Sequence, residues 1–277
     1  MRARVAGSAI GLAVLVAGCG SSQPAAAPPT VSADVANVAF PSAREDREAR
    51  TLVAARARLV RRCMAERGFT LPRAAPAPSV PTADALPAAT GYGFAARFTT
   101  TAPAAPRQTA TVERALMGSP RETATLRLPE MTVRYRSGGC YAKAMGELYG
   151  SARRYQLLVA KRNVVRAAAG ARVAADPRFA RALTGWSRCM AGHGLPYASP
   201  DEARQAVFDA YLKTADRARQ RERATATADR ACGERTALYS TLARAQQDAL
   251  RAMSPAERAA AAALARPRAV AVERARR

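Results

Sequence analysis

Arg62-Cys63-Met64-Ala65-Glu66-Arg67-Gly68-Phe69 and Arg188-Cys189-Met190-Ala191-Gly192-His193-Gly194-Leu195 carry one pattern twice, 126 residues apart. In each, a glycine stands five residues after the cysteine, where a helix ends in the left-handed backbone region that glycine enters at no steric cost. Gly68 and Gly194 are then the residues just past two helix ends. Phe69 and Leu195 follow as the apolar residues that fold back onto the last turn. Upstream of the first, Leu52, Leu59, Val60, Cys63 and Met64 recur at helical spacing. Upstream of the second, Phe179, Leu183, Trp186, Cys189 and Met190 do the same. The spacing predicts two amphipathic helices that each end with a cysteine and a methionine on the core side. The fold class follows: all-α, built from two diverged cysteine-containing copies. Two copies are too few for a solenoid.

The starts of these helices are also written in the sequence. Ser42-Ala43-Arg44-Glu45 reads as a capping box, and Asp176-Pro177 as a cap followed by proline in the first helical position. Each copy then supplies one more cysteine. In the first, a proline-broken stretch leads through Gly91-Tyr92-Gly93 to a short helix at Val112–Met117 closed by Gly118. A short strand is possible at 131–136, and Ser137-Gly138-Gly139-Cys140 opens a helix running through Leu148. In the second, Ser199-Pro200 starts a helix, and Cys232 lies in another that continues through Leu238, Leu242 and Leu250. Tyr155–Ala169 reads as the connection between copies. Ser254-Pro255-Ala256-Glu257 starts a last, alanine-rich helix, expected to be disturbed at Pro267 and frayed.

The first residues point to an address. Arg2 and Arg4 precede an apolar run, Val5–Val16, that is too short to span a bilayer. It ends in Val16-Ala17-Gly18-Cys19, the lipobox that bacterial lipoprotein processing recognises. Residues 1–18 are thus expected to be a signal peptide and Cys19 the lipidated first residue of the mature protein. Residues 19–41, poor in charge and bearing Pro24, Pro28, Pro29 and Pro41, read as a flexible tether. Residues 42–277 then form a single extracytoplasmic domain, with copy one about 42–150, copy two about 151–253 and the final helix at 255–277. The expected location is the outer face of a bacterial cell membrane.

Taking Cys19 for the anchor leaves Cys63, Cys140, Cys189 and Cys232, an even number suited to two disulfides in an oxidising exterior. Three pairings are open, and the duplication favours Cys63 with Cys140 and Cys189 with Cys232. Zinc sites use clustered ligands, whereas these cysteines are scattered and His193 is the only histidine. No metal or cofactor is therefore expected. His193, next to Gly194, reads as a cation serving a helix C-terminus, the place that Arg67 holds in the first copy. Met64, Met190 and Trp186 read as core.

Forty-four basic against twenty-one acidic residues give a formal charge of +23. Such a charge concentrates polyanions at the surface: anionic headgroups, wall polymers or nucleic acid. No aromatic platform interleaves with the arginines, so specific nucleic-acid binding is not expected. No nucleophile elbow or phosphate loop occurs, which argues against an enzyme.

The chain resembles the uncharacterised secreted lipoproteins of actinomycetes. The residues that carry the likeness are Asp176-Pro177, Trp186-Ser187-Arg188-Cys189-Met190 with Gly194, Cys63-Met64 with Gly68, Gly138-Gly139-Cys140, and Ala228-Asp229-Arg230-Ala231-Cys232. They span about Leu59 to Leu238. The resemblance implies an exported, mostly helical, disulfide-bonded domain and no activity. The expected function is a non-catalytic binding or accessory role at the cell envelope, anchored in the membrane and working with envelope proteins. The alternatives are a polyanion-binding module that uses the arginine-rich surface and an enzyme of unidentified class.

Overall fold

The computed structural model describes residues 31–72, 86–88, 90–98, 109–213 and 215–277. Cys19, the signal segment and most of the tether lie outside these. Among the described residues are eleven helices and one hairpin, so the protein is all-α with a single small sheet.

Copy one is built around α2 (Ala43–Glu66) and α5 (Gly139–Tyr149), which pack on each other beside α4 (Ala110–Met117). Ser42 accepts from the Glu45 N–H at 3.1 Å, as a capping residue should. The other half of the expected box is missing, because the Glu45 carboxylate turns inward to Arg162 and Arg166. Copy two is built around α7 (Pro177–Gly192) and α9 (Ala215–Arg235), with α8 (Pro200–Lys213) and α10 (Leu238–Arg251) against them. Asp176 caps α7 through the Arg178 and Phe179 N–H groups, with Pro177 in the first turn.

Both helix ends form the same hydrogen-bonded motif. Phe69 N donates to Met64 O at 2.9 Å and Gly68 N to Ala65 O at 2.9 Å; Leu195 N donates to Met190 O at 3.0 Å and Gly194 N to Ala191 O at 2.9 Å. Gly68 and Gly194 have φ of +79° and +74°, with open space where a Cβ would be. Conformation, not crowding, selects glycine here. Met64, Met190 and Trp186 are fully buried. The bridges are Cys63–Cys140, joining α2 to α5, and Cys189–Cys232, joining α7 to α9, each with 5.6 Å between Cα atoms. Both lie within a copy, the pairing the duplication favours.

Several elements depart from the sequence reading. Residues 33–39, assigned to the tether, form α1 (Ala33–Ala39), which buries Val35, Val38 and Ala39 against α6 (Ala152–Ala174) and α11 (Pro255–Arg276). Seven residues are too few to show a period, and tertiary packing holds this helix. The strand at 131–136 has a partner: β2 (Thr132–Arg136) pairs antiparallel with β1 (Thr123–Arg127), Leu126 opposite Val133. The helix carrying Cys232 stops at Arg235. Ala237, at φ +52°, turns the chain so that α10 reaches α6 and α7. A non-glycine residue in that region costs roughly 1–2 kcal/mol, so the sequence carries no sign of the break.

α11 is neither frayed nor broken. It runs through Pro267, buries Ala271, Val272 and Ala275 in its last turns, and packs on α2 and α5. Ser254 and Glu257 cap it reciprocally. The last helix therefore completes the core of copy one. Conversely, Tyr92 and α3 (Phe94–Phe98), which belong to copy one in sequence, pack on α8 and α9. The halves interlock through these two exchanges. Among the described residues no helix is long and apolar enough to cross a membrane.

Candidate functional site

Three places concentrate chemistry, and they differ in whether anything can enter. The first is a pair of buried carboxylates on α9. Asp229 and Glu222, seven residues apart on one helix face, are 0 % and 2 % exposed. Asp229 accepts from Trp186 Nε1 at 2.8 Å, Tyr239 OH at 2.6 Å and Tyr92 OH at 2.9 Å. Arg204 lies over the Tyr92 ring, 4.7 Å from its centroid. Glu222 accepts from Tyr211 OH at 2.5 Å and from the Phe94 and Ala95 N–H groups at 2.8 and 3.0 Å. It thus anchors the start of α3. Burial, followed by the carboxylate each one faces, pushes the Tyr92, Tyr239 and Tyr211 hydroxyls well above the usual range. The Trp186, Tyr92, Tyr239 and Tyr211 side chains and the Phe94 and Ala95 N–H groups all donate to these two carboxylates, so the network binds elements together. Trp186 is core, as its spacing suggests; that its N–H holds a buried aspartate was not legible from spacing.

The second place is the Cys189–Cys232 bridge, with His193 beside it at the C-cap of α7. The third is an open groove of about 1040 Å³ between α6 and α11, closed at one end by the Leu128–Glu130 turn of the hairpin. Residues 154, 157, 158, 161, 164 and 165 make one face of α6, and 260, 263, 264, 267, 270 and 274 the facing side of α11. Leu157, Leu158, Val164, Val165, Leu264 and Val270 supply its apolar surface. Pro267 has no N–H to give the Ala263 carbonyl one turn back, which leaves a backbone acceptor in the groove wall.

Arg154, Lys161, Arg266 and Arg274 rise around this surface, all exposed, with Glu130 the one carboxylate. Among the described residues none of these four cations forms an ion pair. On the other side of the same helices the bases are engaged. Arg162 and Arg166 reach Glu45, and Arg268 Nε donates to Glu48 at 2.9 Å. Burial raises the Glu48 carboxyl, but hydrogen bonds from Arg268 and Arg44 outweigh it and hold the group below its usual range. The four cations around the groove hold no carboxylate among the described residues, as is also true of Arg153 and Arg258 on the same helices. An apolar trough with fixed positive charge at its edges suits a molecule that is apolar in one part and anionic in another.

No protein-family profile matches the chain, and no curated protein or solved structure matches it either. The functional argument therefore rests on the geometry.

Proposed function

We propose that the protein is a lipid-anchored, extracytoplasmic binding protein with a non-catalytic role at the cell envelope, and that its ligand is an anionic amphiphile. The α6–α11 groove takes the apolar part. Lys161, Arg266, Arg154 and Arg274 take the head, a phosphate or carboxylate. The observation that carries this reading is the apolar groove edged by four cations without carboxylate partners. Its volume lies just above the roughly 300–1,000 Å³ typical of small-molecule pockets. The start of the described chain supports it too: Val31 packs with Tyr149, Leu158, Val165 and Leu264, which themselves line the groove. Cys19 is twelve residues before Val31, at most about 40 Å of extended chain. Lipidation there would hold the groove close to a bilayer, the natural source of such a ligand.

The test compares fluorescent acyl probes that share a tail and differ in head: carboxylate, methyl ester and quaternary ammonium. The carboxylate should bind most tightly. Lys161→Glu with Arg266→Glu should remove that preference, and Val164→Asp should abolish binding of all three. Equal affinity for the anionic and cationic probes would overturn the reading. A second reading, polyanion binding by the general arginine-rich surface, is favoured only by the +23 charge. It predicts affinity that falls linearly and steeply with salt on logarithmic axes, whereas an acyl ligand keeps its apolar contribution at high salt.

A further inference from the structure

The sulfur atoms of Cys189 and Cys232 and a ring nitrogen of His193 lie within 4.8 Å of one another, the one such group of three among the described residues. Cys189 and Cys232 are 43 residues apart in sequence, which is why no ligand spacing reveals the cluster. The two bridges have different surroundings. Cys63 and Cys140 are 3 % and 0 % exposed, whereas Cys189 is only partly buried. Arg67, at the place of His193 in copy one, cannot ligate a cation and donates instead to the Ala115 carbonyl at 3.4 Å. Beside His193 lies a depression of about 630 Å³, lined also by Leu195, Thr227, Ala228 and Ala231 among others.

We propose that Cys189, Cys232 and His193 are a latent site for a thiophilic cation such as Zn²⁺ or Cd²⁺, opened when a dithiol reduces the bridge. A thiolate of the dithiol attacks the Cys189 sulfur, and Cys232 leaves as the thiolate and takes up a proton. The second thiol of the reductant then displaces Cys189 from the mixed disulfide. Two electrons pass from the dithiol, which ends as a disulfide, and both cysteines end as thiols. Cation binding releases their two protons and adds the neutral imidazole. In a tetrahedral zinc site, bonds of about 2.3 Å to sulfur and 2.0 Å to nitrogen place ligand atoms roughly 3.5–3.8 Å apart. The existing cluster is within a small shift of that, once the sulfurs part. The helices need not separate, because Trp186 on α7 remains hydrogen-bonded to Asp229 on α9 at 2.8 Å. Arg235, whose guanidinium already contacts Cys189 Sγ and lies 3.9 Å from Cys232 Sγ, becomes the outer hydrogen-bond donor that orients a ligating thiolate.

The experiment uses the whole protein and two readouts. Graded reduction with a dithiol, followed by alkylation and peptide mapping, should label Cys189 and Cys232 before Cys63 and Cys140. Cd²⁺ added at that stage should give one equivalent of sulfur-to-cadmium charge-transfer absorption, and none in the oxidised protein. His193→Gln, an exposed substitution, should weaken Cd²⁺ binding by at least about tenfold while leaving the order of reduction unchanged. Circular dichroism should show the helices intact. Cd²⁺ affinity unaffected by His193→Gln, equal reduction of both bridges, or a reduced protein that loses its helices and does not regain them with Cd²⁺ would each overturn the proposal.

Discussion

Replacing Asp229 by asparagine tests the energetic reasoning at its most concentrated point. The native carboxylate is wholly buried and accepts three hydrogen bonds, from Trp186 and Tyr239 to one oxygen and from Tyr92 to the other. Asparagine keeps the shape and one acceptor oxygen, which can still serve Trp186 and Tyr239. Its amide NH₂ faces Tyr92, whose hydroxyl must rotate to accept. Each bond falls from the charged class, about 1.5–3 kcal/mol, to the neutral class, about 0.5–1.5 kcal/mol. Three such losses come to about 3 kcal/mol. A buried neutral amide is cheaper to desolvate than a carboxylate, which returns part of this. The expected net loss is about 2 kcal/mol, or roughly 4–8 °C in Tm for a domain of this size. Thermal unfolding followed by circular dichroism at neutral pH, with both disulfides intact, measures it. Tyr239→Phe, which removes one donor, should cost about 1 kcal/mol. Asp229→Leu should cost more than asparagine, because the indole N–H then has no acceptor. An asparagine variant that melts with the wild type, or a leucine variant more stable than it, would refute the account.

Five of the eight tyrosines, Tyr92, Tyr149, Tyr155, Tyr211 and Tyr239, are held protonated by burial, Tyr155 pushed up to about 12. Above about pH 10 the unfolded chain loses these protons and the folded chain keeps them, so stability falls with rising pH by about 1.4 kcal/mol per unit for each; phenolate absorbance should lag until the protein unfolds, and five freely titrating hydroxyls in folded protein would contradict this. Ala237→Gly relieves the left-handed residue between α9 and α10 and should raise stability by about 0.5–1 kcal/mol, read as a higher Tm; no gain would mean the turn carries no strain. Neutralising Arg61 and Arg62, or Arg219, Arg221 and Arg223, to glutamine should cost small and similar amounts of affinity for an anionic polymer, since Arg62 already pairs with Glu147 at 2.6 Å and Arg221 donates to Tyr197 at 3.0 Å; one dominant cluster would instead mark a polyanion site. Metabolic labelling with a fatty acid should mark the wild type and not Cys19→Ser, and a freely secreted, unlabelled wild type would remove the anchor from the reading.

What the sequence disclosed was local. Helix ends need few residues and strong preferences, so Asp176-Pro177, Gly68 and Gly194 could be read directly, and the repeat suggested which cysteines meet. What it hid was tertiary. α1 shows no period because seven residues make barely two turns. Pro267 read as a disturbance, yet its missing N–H falls on the groove side of α11. Glu45 looked like the second half of a capping box until Arg162 and Arg166, more than a hundred residues away, claimed its carboxylate. The groove belongs to two helices, one opening copy two and one following it, and no motif spans that distance. Asp229 was visible only as a residue beside Cys232; three donors from three separate segments give it its role.

The divergence of the two copies explains why chemistry collects at one bridge. Aligned on their cysteines, Trp186 and Asp229 of copy two correspond to Val60 and Ser137 of copy one. Donor and acceptor are absent together, as they must be, since either alone would be a buried polar group without its partner. Copy one ties α2 to α5 differently, by Arg62 with Glu147 at 2.6 Å and Lys143 with Glu66 at 2.9 Å. The residue matching Lys143 is Arg235, and the residue matching Glu66 is Gly192. Deprived of a carboxylate, Arg235 turns onto the Cys189 sulfur. The interior polar network ties α7 to α9 through Trp186 and Asp229 at 2.8 Å, and among the described residues no ion pair joins these two helices, the nearby Arg230–Glu234 pair at 3.0 Å lying within α9. Copy one has the reverse arrangement: an apolar interior, a sealed disulfide and salt bridges outside it. A Gly192→Glu substitution should therefore draw Arg235 away from the sulfur and give copy two the exterior of copy one. Alkylation after graded reduction would measure the effect, and a Cys189–Cys232 bridge still reduced at the wild-type rate would show that the carboxylate exchange is not what exposes it.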